Sequence, residues 1–210
     1  MPKVPRRPSL ERLKGLDPAV KIVQTATVIW RIYFRGGHHP TRWGELRHVG
    51  PTDARFDHHL GEKPTRQNRA VLYAADEPVT CFAEVFQQSR VINRWHKEPW
   101  LAGFEIVSPT QLLDLTGPFP TRAGASMGLM TGPRSVARNW ARAFYEAYPE
   151  LEGLYYPSSM HGNRPAIVLT DRIKAAGAIP VQPSFHRSLG DPGMLSVLKN
   201  VAHTLGYVLS

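Results

Sequence analysis

Short runs rich in β-branched and aromatic residues recur along the chain at irregular intervals, without the regular strand–helix alternation that a doubly wound sheet requires. ATVIWRIYF (Ala26–Phe34), AVLYAA (Ala70–Ala75) and WLAGFEIV (Trp100–Val107) read as strands, and QLLDLT as a short one. EGLYYPSS and PAIVLTD read as two further strands around a Gly/Asn turn. A helical period enters at three places. The first helix opens at DEP, where Pro78 suits a first-turn position. After Ser135, the residues Val136, Ala137, Trp140, Ala143, Phe144, Ala147 and Tyr148 fall on one side, with Arg138, Asn139, Arg142 and Glu146 on the other. Towards the end, Asp191 is a cap with Pro192 behind it, and Leu195, Leu198, Ala202, Leu205 and Leu209 share a helical face. This mixture predicts an α+β fold.

A length of 210 residues suits one domain with a tail. Residues 1–24, rich in Pro, Arg and Lys and carrying Arg6, Arg7, Arg12 and Lys14, predict a loosely ordered basic arm or a short helix. Residues 25–210 form the domain. Within it, the polar connection between Phe34 and Ala70 is rich in Gly, Pro, His and Arg, a length of loop that is usually functional or disordered. The single cysteine, Cys81, excludes an internal disulfide, and a reducing, cytoplasmic setting is expected. No run of eighteen apolar residues appears and the N-terminus lacks the apolar block of a signal peptide, so no membrane association is expected. The net charge of +9 favours anionic partners: nucleic acid, a phosphorylated small molecule or an acidic protein.

The adjacent histidines His38-His39 and His58-His59 do not match metal-ligand spacing, so loop histidines and no metal are expected. No G-x-S-x-G elbow is present, and the glycines of RGGHHP and TGPRS match neither a P-loop nor a dinucleotide fingerprint. Tyr156 and Ser158 point to one side if their segment is extended, and Pro157 puts that segment at an edge or a strand end. On the helix that starts near Val79, the side chains of Val79, Phe82, Ala83 and Phe86 share one face, and Glu84 lies roughly 140° away from Val79. That face is either solvated or the wall of a cleft, and periodicity does not separate the two.

Taken together, WRIYF with Arg31, ARFD with Arg55, VLYAADEPVTCFAEVF with Tyr73 and Glu84, and EGLYYPSSMHGNRPAIVL with Ser158 resemble the RES-domain family, the toxin half of RES–Xre toxin–antitoxin pairs. The resemblance covers about Val28 to Thr170, and its name-giving residues are an arginine, a glutamate and a serine. Met160 stands where many members carry an arginine, two residues after the serine. The long stretch between Arg31 and Tyr73 leaves Arg42 open beside Arg55 as the second arginine, and Ser159 is open beside Ser158.

The resemblance implies an ADP-ribosyltransferase-like mixed β-sheet core with flanking helices that binds NAD in a cleft. It implies NAD as substrate, cleaved by hydrolysis or by phosphorolysis with inorganic phosphate as co-substrate, or used to modify a protein. It also implies a cognate antitoxin with a helix-turn-helix domain of the Xre type. The chemistry suits the residues. The nicotinamide–ribose bond breaks through an oxocarbenium-like state whose positive charge a carboxylate stabilises, a role for Glu84. Arginine forks bind pyrophosphate, a role for Arg31 and Arg55. Tyr73 offers a flat partner to the nicotinamide ring, with Tyr156 beside it in the binding set. Ser158 can hydrogen-bond a ribose hydroxyl or the carboxamide. The rival readings are an ADP-ribosyltransferase with a protein target and a basic nucleic-acid-binding protein, although no nucleic-acid motif is present.

Overall fold

A computed structural model describes residues 4–5 and 7–210. Arg6, part of the expected basic arm, lies outside the described residues, as do residues 1–3. The elements in the first half are α1 (Leu10–Lys14), β1 (Val20–Val23), β2 (Val28–Phe34), β3 (Arg47–Gly50), β4 (Thr65–Ala75), α2 (Pro78–Val85), β5 (Val91–Ile92) and β6 (Pro99–Glu105). The second half adds β7 (Thr110–Asp114), α3 (Phe119–Arg122), α4 (Gly128–Thr131), α5 (Arg134–Ala147), β8 (Gly153–Pro157), β9 (Pro165–Thr170), β10 (Phe185–Ser188), α6 (Leu195–Leu205) and β11 (Val208–Leu209). The fold is α+β, as expected: a mixed sheet in the order β1-β7-β8-β9-β4-β2-β6-β10, with β3 paired to β4 and a separate β5–β11 pair.

The central strands are buried on both faces, so their sequences are apolar without interruption. Alternation still sorts their side chains. Leu154, Tyr156, Ala166 and Val168 join one cluster with Trp140 and Phe144 of α5, whereas Tyr155, Ile167 and Leu169 join Leu72, Phe104 and Leu112 on the opposite face. Full burial of a side chain such as Phe144 contributes about 2–3 kcal/mol, which is why the apolar face of α5 was the clearest helical signal. At Gly153 any Cβ would meet the Val168 carbonyl oxygen at 2.1 Å, so β8 packs this closely on β9 only with glycine there.

Several expectations need correction. Of the two readings of the basic arm, the short helix is present as α1, with Leu13 buried against α5, while Val20–Val23, which neither reading included, adds an antiparallel edge strand to β7. The long connection is ordered. It contains β3, and β4 begins at Thr65 instead of Ala70. Phe56, Asp57, His58 and His59 within it are buried. The polar face of α5 faces this connection as well as water, since Arg142 donates to the His59 carbonyl at 2.7 Å and the Gly61 carbonyl at 3.1 Å. Gln67 pins the loop from the other side through Leu60 N–H and the Leu60 carbonyl, each at 2.8 Å.

Two leucines assigned to the C-terminal helical face are placed differently. Gly206, at φ +64°, ends α6, so Leu209 belongs to β11 and reaches the same cluster from a strand. Leu195 is exposed. Asp191 caps as expected, accepting from Gly193 N–H at 2.8 Å at the head of a short 3-10 turn that leads into α6.

One feature of the sheet makes the site. β2 touches β4 at a single pair, Trp30 opposite Ala75, and then follows β6 through Phe34. β4 meanwhile follows β9 and β3. The two strands therefore diverge, and the gap between them is a cleft.

Candidate active site

A cavity of about 570 Å³ occupies that gap, a size in the usual range for small-molecule sites. Arg31 and Tyr33 come to it from β2, Tyr73 from β4, Glu84 from α2, Tyr156 from β8 and Arg55 from the connection between β3 and β4. The sheet split thus brings together side chains separated by more than a hundred positions in the sequence.

Arg31 is buried, and Nη1 donates to the carbonyls of Trp43 at 2.7 Å and Glu45 at 2.8 Å. Burial pushes its pKa down to about 10, with Glu45 opposing, so the guanidinium remains charged at neutral pH. Arg55 is held similarly, with Nη1 on the Leu129 carbonyl at 3.1 Å and the Gly132 carbonyl at 2.8 Å. Burial, and then repulsion from Arg134, lowers its pKa. In both arginines the other guanidinium nitrogens have no hydrogen-bond partner among the described residues.

Tyr73 and Tyr156 stay neutral, because burial pushes both phenols far above their ordinary range. Tyr156 packs edge-on against Phe56 at 4.7 Å between ring centres. The Tyr73 hydroxyl is buried and has no hydrogen-bond partner among the described residues, an uncommon state for a phenol, which normally finds a partner when buried. The residue itself lines the cavity.

Glu84 lies in the last turn of α2, whose other face carries Phe82, Ala83 and Phe86 into the core. Helix amphipathicity thus anchors α2 and leaves Glu84 on the cleft side. Its Oε1 lies 2.5 Å from Ser158 Oγ. Ser158 Oγ also accepts Met160 N–H at 3.1 Å, so its own proton is directed to the carboxylate. Ser158 is fully buried and does not line the cavity. In this structure the contact of its hydroxyl is with Glu84, at the turn that follows the end of β8 at Pro157. Of the neighbouring alternatives, Ser159 and Arg42 are exposed and do not line this cavity, and Met160 contributes its backbone N–H to Ser158.

Sequence reasoning missed Gln87 and Arg134. Gln87 Nε2 donates to the Glu84 carbonyl at 2.6 Å and approaches Glu84 Oε2 at 3.4 Å. Arg134 donates to Gln87 Oε1 at 3.0 Å and to Asp53 Oδ2 at 2.8 Å. Gln87 lies in the turn just after α2, three residues beyond Glu84, and that short spacing was the available signal; Arg134 carried none. Among the described residues no group of three or more His, Cys, Asp or Glu is placed to hold a metal, and no helix is long and apolar enough to cross a membrane.

Fold and site together define an α+β protein built around a split-sheet cleft, with paired arginines and one buttressed carboxylate on its walls. The chain belongs to the RES-domain family, whose family model matches residues 28–191. In structure it is similar to a chain in the crystal structure of the M. tuberculosis MbcT–MbcA toxin–antitoxin complex, with a TM-score of 0.58 and 16% identity, covering 91% of this chain and 96% of that one. No curated protein matches the sequence.

Proposed function

We propose that this chain is the toxin of a toxin–antitoxin pair and that it cleaves the nicotinamide–ribose bond of NAD. The observation that carries the reading is the Glu84 carboxylate, held by Ser158 at 2.5 Å and exposed to the same cavity as Arg31 and Arg55. Cleavage breaks the C1′–N bond, and its electron pair leaves with nicotinamide as a neutral base. Positive charge then rests on the ribose, where a fixed carboxylate stabilises it. An oxygen of water or phosphate bonds to C1′, and with water the proton passes to solvent.

The arginines supply charged donors for the pyrophosphate. The two phenols, neutral and flat, suit stacking and hydrogen bonding to the nicotinamide or ribose. The cavity of about 570 Å³ is of the size usual for small-molecule sites. A cytoplasmic location and an antitoxin with a helix-turn-helix domain complete the proposal, supported by membership of the RES family and by the likeness to a chain of a toxin–antitoxin complex. The net charge of +9 suits an acidic partner.

The test is incubation of the purified protein with NAD, with and without phosphate, following nicotinamide and the ribosyl product. Phosphate-dependent release identifies a phosphorylase and phosphate-independent release a glycohydrolase. No release from folded protein free of antitoxin contradicts the proposal and directs attention to ADP-ribose transfer onto a macromolecule.

A further inference from the structure

The segment from Gly128 to Arg134, which includes Gly132 of TGPRS, matches no known phosphate-binding fingerprint, yet it touches both charged halves of the site. The carbonyls of Leu129 and Gly132 hold Arg55. Arg134, the first residue of α5, holds Gln87, and Gln87 holds Glu84. We infer that Arg134 is a positioning residue that orients Glu84 through Gln87, and that this segment sets the relative placement of Arg55 and Glu84. The inference deepens the proposed NAD cleavage and rests on that reading for its kinetic consequences.

The direction of each hydrogen bond follows from chemistry. A guanidinium has donors and no acceptor. The group of Gln87 facing Arg134 must therefore be its oxygen, and its NH₂ must face Glu84. Reversing the amide would set donor against donor at Arg134 and acceptor against acceptor at Glu84. Ser158 is likewise fixed as a donor, since Met160 N–H occupies its oxygen. Glu84 thus meets one donor at Oε1 and a second, longer one at Oε2. Two donors from two directions define the plane of the carboxylate, whereas one would leave it free to rotate about the bond to Ser158.

Arg134 is itself fixed from outside. Nη1 pairs with Asp53 at 2.8 Å, and Arg138 reaches the same carboxylate at 3.4 Å. The hydrogen bond and charge of Arg134 hold the Asp53 carboxyl below its ordinary pKa. Asp53 is two residues before Arg55 on the same loop. The chain of contacts Asp53–Arg134–Gln87–Glu84–Ser158 therefore ties the arginine-bearing loop to the catalytic helix and to the turn after β8. Both terminal nitrogens of Arg134 are committed to protein partners, which distinguishes it from Arg31 and Arg55, where a single nitrogen is committed.

The test compares wild type with R134M, Q87E and the double variant R134M/Q87M, alongside Q87M. Gln87→Glu keeps size and an oxygen for Arg134 but removes the donor to Glu84. A positioning role predicts that kcat for nicotinamide release falls about tenfold to a hundredfold in each single variant, with KM within about twofold of wild type. The double variant is expected to lose little more than Q87M alone, because both act along one line of contacts. A direct ligand contact by Arg134 would instead raise KM, and unchanged kcat in Q87E and R134M would overturn the inference while leaving NAD cleavage intact. Wild-type protein that releases no nicotinamide would refute the proposed reaction but not the positioning role. Crystal structures of wild type and R134M decide that role independently of turnover: Glu84 is expected to lose its wild-type orientation in R134M, and an unchanged Glu84–Ser158 bond and carboxylate plane would overturn it.

Discussion

Ser158 Oγ and Glu84 Oε1 lie 2.5 Å apart although 74 positions separate them in the chain. The contact joins the end of β8 to the last turn of α2, and it explains why a serine in a turn and a glutamate in an apolar helix belong to one site. On the proposed reading, the serine supports the carboxylate from behind. Ser158→Ala is expected to lower kcat with little change in KM, since the substrate side of the site is untouched. It should also reduce stability by about 1–2 kcal/mol, because Met160 N–H loses its acceptor. Steady-state kinetics and urea unfolding check both. A large rise in KM would instead restore serine to direct ligand contact.

Tyr73 carries a buried hydroxyl without a partner. Removing an unsatisfied polar group relieves a desolvation cost, so Tyr73→Phe should leave the free protein as stable as wild type or more stable by about 1 kcal/mol. On the proposed reading the same variant should bind NAD more weakly, because it lacks the hydroxyl that a bound ligand would satisfy. Thermal unfolding with and without NAD measures both effects. Lower stability of the unliganded variant would mean that the hydroxyl already has a partner.

Arg31 has a structural duty beside its proposed role in binding, since one nitrogen gathers the Trp43 and Glu45 carbonyls. Lysine keeps the charge, but its three donors share one nitrogen, so holding both carbonyls leaves one donor fixed beside them, where arginine keeps separate nitrogens for the cleft. Arg31→Lys is therefore expected to cost about 2 kcal/mol of stability and to raise KM. Chemical denaturation and kinetics on one preparation test the pair of effects. Unaltered stability would show that the loop over residues 43–45 holds without the arginine.

Acid should destabilise the fold in two stages. Burial holds the His58 pKa below its ordinary value, against an opposing Asp171 carboxylate. The unfolded chain therefore binds the extra proton first, and stability falls as pH drops below the usual histidine value of about 6.5. Burial alone would raise the Asp57 carboxyl, but the hydrogen bond from His59 at 2.5 Å and the charge of Arg47 at 2.9 Å outweigh it and hold it far below the carboxylate range. Its stabilisation is present above the unfolded pKa of about 3.9 and is lost as pH falls towards the folded value. Unfolding free energies from pH 7 to pH 3 should show both declines. His58→Gln should remove the first while leaving the second.

The sheet centre and the main helix were legible because burial on both faces writes continuous apolar runs, as in PAIVLT, and burial on one face writes a 3.6-residue period, as from Val136 to Tyr148. The edges were not. RHVG of β3 and FHRS of β10 join the sheet by backbone pairing, with no buried face to mark them in the sequence. Asp57, His58 and His59 look like solvent-facing loop residues, and their burial depends on partners such as Arg47 and Asp171 that sequence order does not reveal. Glu84 shows the same limit at the site. Its helix and face could be derived, but whether that face met water or a cleft depended on the divergence of β2 from β4, a long-range property. The family resemblance selected the cleft, and it also brought in Ser158, for which periodicity offered nothing.

The most direct measurement of the central claim is nicotinamide release from NAD by wild type and Glu84→Gln protein, prepared side by side and matched by thermal unfolding. Glutamine keeps the shape and an oxygen for Ser158 but removes the charge that the proposed reaction needs beside the oxocarbenium-like state. The account predicts nicotinamide release by wild type and a loss of at least about a hundredfold in the variant with its melting temperature retained. Equal turnover by the two proteins would contradict it.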